Sequence, residues 1–170
     1  MKVLITGGAG YLGTVLTEEI LNRFPYAKVI VYDNLMYKQD GLFSFFKYPK
    51  DRFEFVYGDV RDKNSLLEQL QKLDKNNDYV IPLAAIVGFP ACARDEKLAT
   101  AVNFEHVKYI VQSTKCRIIY PNTNSGYGVS DGEAHCTEET PLAPISVYGR
   151  TKCDAEEWVL GAVCIRVNYP

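Results

Sequence analysis

The sequence predicts an α/β fold in which a parallel sheet is doubly wound with helices, and three observations carry that expectation. Short runs rich in Val, Ile and Tyr recur at Val3 to Ile5, Lys28 to Tyr32, Phe53 to Tyr57, Tyr79 to Leu83, Arg117 to Tyr120 and Val163 to Val167. Stretches with helical character lie between them, and this alternation is the pattern of a parallel sheet covered on both faces. The chain also opens on MKVLITGGAGYLG, a strand that runs into glycines and then into a helix. Right-handed crossovers between such elements leave a ligand crevice at the carboxyl ends of the strands.

Taken in order, the first strand leads into Gly8-x-Gly10-x-x-Gly13, which fits the dinucleotide fingerprint. One glycine serves the tight turn, one the close approach of backbone to a pyrophosphate, and one the packing of helix on strand. The helix that follows, Tyr11 to Arg23, places Val15, Leu16, Glu19 and Ile20 at helical spacing and is stopped by Phe24-Pro25. Its N-terminus offers free N–H groups and a positive dipole end to phosphates. Asp33 ends the second strand, 20 positions after Gly13. A carboxylate there accepts hydrogen bonds from adenosine ribose hydroxyls and repels a 2′-phosphate, which favours NAD over NADP.

Residues 34–50 form a long connection containing Phe43, Phe45, Phe46 and Tyr48. No basic cluster accompanies these aromatics, so they read as cover for the sheet edge and not as a base-stacking platform. After the third strand comes Gly58-Asp59-Val60, where Asp59 either meets the exocyclic amine of adenine or is a solvated turn aspartate. Ser65-x-x-Glu68 reads as a capping box that opens a helix over Leu66 to Leu73. The fourth strand runs into Ala84-Ala85, small enough for a ligand to approach the backbone. A helix from about Asp95 to Val111 precedes the fifth strand, a polar segment spans Asn122 to Gly128, and Pro141 and Pro144 lie in the loop beyond. Ser146 caps a helix carrying Tyr148 to Trp158.

Composition sets limits on function. At 170 residues, 47% hydrophobic and 24% charged, the chain is of single-core size, so one domain over residues 1–170 is expected. A net charge of -2 gives no electrostatic case for nucleic acid or an anionic membrane surface. No apolar run reaches the length of a bilayer span and the N-terminus has no signal-peptide profile, so a cytoplasmic location is expected. Cys92, Cys116, Cys136, Cys153 and Cys164 show no C-x-x-C spacing and are expected to be free thiols, with no metal site.

The catalytic reading rests on Tyr148 and Lys152. Chance alone supplies a Tyr and a Lys four apart about once in a chain with this many of each, so the context must carry the argument. On a helix the two share a face, and this helix follows the fifth strand of a nucleotide-binding sheet. A tyrosine must fall by about 3 pKa units to act as a base at neutral pH, which costs about 4 kcal/mol. An ammonium at about 4 Å in an effective dielectric near 20 is worth about that much.

These pieces resemble an extended short-chain dehydrogenase/reductase of the NAD-dependent nucleotide-sugar epimerase/dehydratase family. The matching segments are TGGAGYLG at Thr6 to Gly13, YDNL at Tyr32 to Leu35, GDVRD at Gly58 to Asp62, PLAA at Pro82 to Ala85, the Asn103 helix position, PNTNSGYG at Pro121 to Gly128 and YGRTK at Tyr148 to Lys152. They fall in family order over nearly the whole chain. The resemblance implies a Rossmann domain in which Tyr148 is the base, Lys152 also binds the nicotinamide ribose, Thr123 orients the reacting sugar oxygen and Asn103 supports the active-site backbone. The cofactor contacts expected are Gly7, Gly10, Tyr11 and Leu12, Asp33 and Asn34, Asp59 and Val60, Leu83, Ala84 and Ala85, and Asn103, Tyr148 and Lys152.

The departures are informative too. Sugar 4,6-dehydratases carry an Asp-Glu pair after the threonine, and this chain has Asn124-Ser125, so dehydration is not expected. The helices before the fifth strand and after Lys152 are shorter than the resemblance implies, by about one and two turns. The chain also stops where relatives continue into a lobe that holds the nucleotide sugar, so a cofactor domain with that lobe absent or truncated is expected. The function expected is therefore that of an NAD-dependent nucleotide-sugar epimerase-like oxidoreductase acting through a 4-keto sugar. A 4-keto-sugar reductase or dehydrogenase, and a non-catalytic NAD-binding module, are the alternatives. A nucleotide sugar is the expected partner, with homodimerisation left open.

Overall fold

A computed structural model describes residues 1–128, 136–137, 139–161 and 165–167, the last three by backbone alone. Its strands are β1 (Lys2–Thr6), β2 (Lys28–Asp33), β3 (Phe53–Tyr57), β4 (Tyr79–Pro82), β5 (Arg117–Pro121) and β6 (Ile165–Val167). They form one sheet in the order β3-β2-β1-β4-β5-β6. Every pairing is parallel, with Ile5 of β1 opposite both Val31 of β2 and Ile81 of β4. The chain winds outward from β1 to β3 and then returns to the other side of β1 at β4. Crossovers part at that point, and the carboxyl ends of β1 and β4 open a crevice between them.

Alternation along the strands builds two cores. Val3, Ile5, Val29, Val31 and Ile81 face one side, where they meet Ile20 and Leu21 of α1 (Tyr11–Arg23) together with Leu42, Phe45 and Phe53. Leu4, Ile30, Tyr32, Val80, Ile118 and Tyr120 face the other. There they meet α2 (Lys63–Leu70), α5 (His106–Ser113) and α6 (Val147–Gly161) through Leu66, Val107, Ile110, Ala155 and Val159. Strands buried on both faces need the continuous apolar runs seen in the sequence. Phe45 and Phe46 pack on Phe53 of edge strand β3, with ring centroids 5.5 and 5.8 Å away, so this part of the connection does cover the edge. Phe43 points to solvent.

Several local expectations are corrected. The buried face of α1 is Gly13, Thr17, Ile20 and Leu21, with Leu16 packed at its border and Val15 exposed, because Gly13 seats the helix directly on the glycine loop. The Ser65 to Glu68 capping box is not used. Asp62 caps α2 three residues earlier, accepting from the Asn64 and Ser65 amides at 3.1 Å, and the helix ends at Leu70 rather than Leu73. The helix expected over Asp95 to Val111 is present as α4 (Glu96–Thr100), a π-helical segment (Ala101–Glu105) and α5 in unbroken succession, and a short α3 (Phe89–Arg94) that was not expected precedes it. Asp95 separates α3 from this run by leaving the helical backbone region and caps α4, accepting from the Leu98 amide at 2.9 Å. Ser146 does cap α6, accepting from Gly149 N–H at 3.0 Å. Cys92, Cys116, Cys136 and Cys153 are free thiols, while Cys164 and Val163 lie outside the described residues.

His106 joins the two halves beneath the crevice. Its Nδ1–H donates to the Val102 carbonyl, and its Nε2 faces the Thr6 hydroxyl at the end of β1, 3.4 Å away. Burial holds its pKa down at about 4, against the pull of the Val102 carbonyl. The folded value lies below the unfolded one, so this contribution is full above pH 6.5 and is lost as pH falls through 4. Urea unfolding is expected to show a loss of about 2 kcal/mol between pH 7 and pH 5 from this group. His106→Asn, though less stable at pH 7, should show a flatter profile, and equal slopes in the two proteins would refute the assignment.

Candidate functional site

The crevice is a cleft of about 450 Å³ at the carboxyl ends of the central strands. Gly7 makes its turn at φ +69°, and its N–H donates to the Tyr32 carbonyl at 2.8 Å, which extends the sheet by one bond. A side chain here is excluded twice, because the left-handed backbone strains L-residues and a Cβ would sit 2.4 Å from the Ala84 Cα. Gly13 seats α1 directly on the loop, where a Cβ would lie 2.4 Å from the Gly8 Cα. Gly10 gives α1 no side-chain cap, so the amides of its first turn are left for a ligand, and Tyr11, Leu12 and Gly13 line the cleft.

Asp33 stands at the rim with each carboxylate oxygen holding one donor. Oδ2 accepts from Ala9 N–H at 3.0 Å and Oδ1 from Leu35 N–H at 2.7 Å. Each oxygen retains a lone pair that a ribose hydroxyl could meet. Asp59 is more fully engaged. Arg61 donates to Oδ1 from its backbone N and its Nε, both at 2.9 Å, and to Oδ2 from Nη2 at 2.6 Å, while Asn34 Nδ2 donates to Oδ2 at 3.0 Å. The Arg61 fork holds its carboxyl far below the usual carboxylate range. Asp59 lines the cleft with these four hydrogen bonds in place, and an adenine amine would share the carboxylate with them.

Gly7, Gly10, Tyr11, Leu12, Asp33, Asn34, Asp59, Val60, Leu83, Ala84, Ala85 and Tyr148 all line this one cleft. Asn103 does not. It is buried on the π-helical segment, where Oδ1 accepts from Ile86 N–H at 2.8 Å and Nδ2 donates to the Ile86 carbonyl at 3.0 Å. Its amide is committed to the Ile86 backbone, which lines the cleft wall. Met36, Tyr37, Gln39, Ile86 and Val87 also line the cleft and had no sequence signal. Gln39 Oε1 is buried there without a hydrogen-bond partner. Gly58 was readable, since a Cβ would lie 2.4 Å from the Tyr32 ring, whose hydroxyl donates to the Asp59 carbonyl at 2.9 Å.

The Tyr148 and Lys152 geometry differs from the simple ion-pair picture. Lys152 Nζ donates to the Pro121 carbonyl at 2.7 Å and lies 4.0 Å from the centre of the Tyr120 ring, so its charge is directed at the end of β5. Burial lowers its pKa to about 8, with Glu156 and Cys153 acting against the fall. Tyr148 is pushed up by burial, while a hydrogen bond with the Thr123 side chain pulls the other way and Cys92 adds to the rise. In this arrangement Tyr148 is a phenol at neutral pH. Thr123 Oγ1 also accepts from Ser125 N–H at 3.3 Å, which fixes the turn after β5.

The lining suits a dinucleotide. Side-chain-free glycines stand where phosphates approach, an uncapped helix start faces them, and an orphaned buried acceptor waits at Gln39. A model of the family described as "NAD dependent epimerase/dehydratase family" matches residues 3–163. CDP-paratose 2-epimerase of Salmonella typhi is 29% identical over 180 residues, covering 94% of this chain and 52% of that protein. DesIV, a dTDP-glucose 4,6-dehydratase from Streptomyces venezuelae solved with NAD bound, superposes with a TM-score of 0.85 at 25% identity over 99% of this chain and 55% of the other. UDP-glucuronic acid 4-epimerase from Bacillus cereus in complex with NAD gives 0.81 at 25% identity, again over 99% and 55%. The chain spans about half the length of the curated relatives it matches. No helix among the described residues is long and apolar enough to cross a membrane.

Asn103 offers a direct check of how the wall is held. Asn103→Ala leaves the Ile86 N–H and carbonyl short of a buried partner, and stability is expected to fall by about 2–4 kcal/mol. Asn103→Asp, which keeps the acceptor for Ile86 N–H, should be milder in chemical denaturation at neutral pH. Equal stability of the alanine variant and the unmodified chain would contradict the supporting role.

Proposed function

The chain belongs to the NAD-dependent epimerase/dehydratase family, and from that premise we propose that it binds NAD and carries the catalytic pair of a nucleotide-sugar epimerase-type oxidoreductase working through a 4-keto sugar. The observation that supports this most is the convergence of Tyr148 on the glycine-loop cleft, with the Thr123 side chain hydrogen-bonded to its phenol. NAD, when bound, supplies the acceptor for a hydride and returns it. Tyr148 moves a proton between its phenol oxygen and the sugar hydroxyl, taking it as the keto group forms and giving it back as the sugar is reduced on its other face. Thr123 orients that oxygen. Lys152 has three N–H donors, of which Pro121 takes one, and the others remain for a ribose hydroxyl.

Making Tyr148 a base requires positive charge nearby, because burial holds it protonated. The positive ring of the oxidised cofactor would be one source, and Lys152, one turn along but directed at the Pro121 carbonyl, would have to turn toward the phenol to be the other. The protonated resting form also supports a second reading, a keto-sugar reductase in which Tyr148 acts as the acid. Net consumption of reduced cofactor distinguishes the two. Asn124 and Ser125 stand where an acid/base pair would be needed to eliminate water, so neither reading includes dehydration.

NAD binding draws on residues before Pro90 and on the Tyr148–Lys152 pair, all within this chain. Purified chain is therefore expected to bind NAD, and a calorimetric titration without a heat of binding would contradict this. In a form that turns over, Tyr148→Phe should lower hydride transfer by about a hundredfold or more with NAD affinity kept, and Lys152→Ala should damage both. Full turnover by Tyr148→Phe would remove the assignment.

A further inference from the structure

The end of β5 is laced to α6 by three consecutive residues, one for each helical turn. Thr123 hydrogen-bonds with Tyr148, the Pro121 carbonyl accepts from Lys152 Nζ at 2.7 Å, and Asn122 Nδ2 donates to Glu156 Oε2 at 2.8 Å. Positions 148, 152 and 156 share one face of the helix. The first two are the pair already assigned. The third is a buried carboxylate to which no role has been given.

The groups around Lys152 show what that carboxylate does. Burying an ammonium costs several kcal/mol unless another charge or good hydrogen bonds offset it. From β5 the ammonium meets the Tyr120 ring and the Pro121 carbonyl. His106 on α5 is kept neutral by its own burial. Tyr148 and Cys153 on α6 are both pushed up by burial, as Tyr120 is, so all three stay protonated at neutral pH. Glu156, one turn after Lys152, is the carboxylate among these neighbours, and it acts against the desolvation of the ammonium.

We propose that Glu156 is a positioning residue for the Tyr148–Lys152 pair. Its carboxylate keeps the buried Lys152 ammonium charged and, through Asn122, fixes the strand end that presents Pro121 and Thr123 to the helix. The functional consequence rests on the reading of Lys152 given above, but the electrostatic claim does not. Without Glu156 the lysine loses its proton at lower pH, so the alkaline limit of any step that needs the ammonium moves down.

The test separates charge from hydrogen bonding. Glu156→Gln keeps an acceptor for the Asn122 amide and removes the charge, and Asn122→Ala removes the bond and keeps the charge. With isotope-labelled lysine, NMR follows the titration of Lys152 directly, assigned by its absence in Lys152→Arg. The Lys152 midpoint is expected to fall by about one pH unit in Glu156→Gln, to recover in Glu156→Asp and to hold in Asn122→Ala. The pH above which NAD affinity declines should fall in Glu156→Gln in parallel. An unchanged midpoint in Glu156→Gln, or an equal fall in Asn122→Ala, overturns the proposal. Should Glu156→Gln not fold, Asn122→Ala and Glu156→Asp still decide, since a fall in the first or a fall in the second contradicts a role set by charge. Because the readout is the lysine's own titration, failure here leaves the catalytic reading standing, and failure of that reading leaves the midpoint shift intact.

Discussion

The Asp33 carboxylate under the glycine loop is the contact on which the cleft depends. By accepting the Ala9 and Leu35 amides it ties the loop after β1 to the chain leaving β2. Hydrogen bonds to a charged group are worth about 1.5–3 kcal/mol each. They act here on a loop whose backbone is already forced by Gly7 at φ +69° and by Gly13 against Gly8. The arrangement also divides labour among the amides. Ala9 N–H is committed to Asp33, while the first turn of α1 stays uncapped and open to an anion. The residue proposed to read a ribose is therefore also the one that shapes the glycine loop.

Behind the cleft lies a second layer of buried polar side chains, and each holds a piece of backbone that the site needs. Asn103 fixes Ile86, His106 meets Thr6 at the end of β1, and Lys152 with Glu156 through Asn122 grips the end of β5. Such groups are costly to bury singly and stable only when each has its partner. The irregular π-helical segment is part of this layer, because it places Asn103 and leads directly into His106. Its extra residue per turn is the kind of local irregularity that recurs beside functional sites.

Much of this could be read from the residues, and what could not has physical reasons. The β3 bounds and the glycine loop were legible because strand alternation and glycine requirements are local, although the tight turn falls to Gly7 at φ +69° and not to a glycine of the Gly8, Gly10, Gly13 triplet. The helix over Asp95 to Val111 was legible too, but not the π-helical turn inside it, because one extra residue in a single turn leaves the apolar period on either side intact. Ser65 to Glu68 matched a capping box, yet Asp62 won because its carboxylate reaches two amides. The expectation that Lys152 would pair with Tyr148 assumed that sharing a helix face fixes where a long side chain ends. The Pro121 carbonyl and the Tyr120 ring are tertiary partners that spacing cannot reveal. Gln39 and Tyr37 joined the cleft through the path of a long connection, which no motif encodes.

The most direct test of this account is a calorimetric titration of the chain with NAD and with NADP, repeated on Asp33→Asn. NAD should bind more tightly by at least about tenfold, a difference of about 1.4 kcal/mol. Asp33→Asn keeps an oxygen for one loop amide and loses the charge, so the gap should narrow. Equal or tighter binding of NADP to the unmodified chain would contradict the role given to Asp33 and, with it, the reading of the cleft.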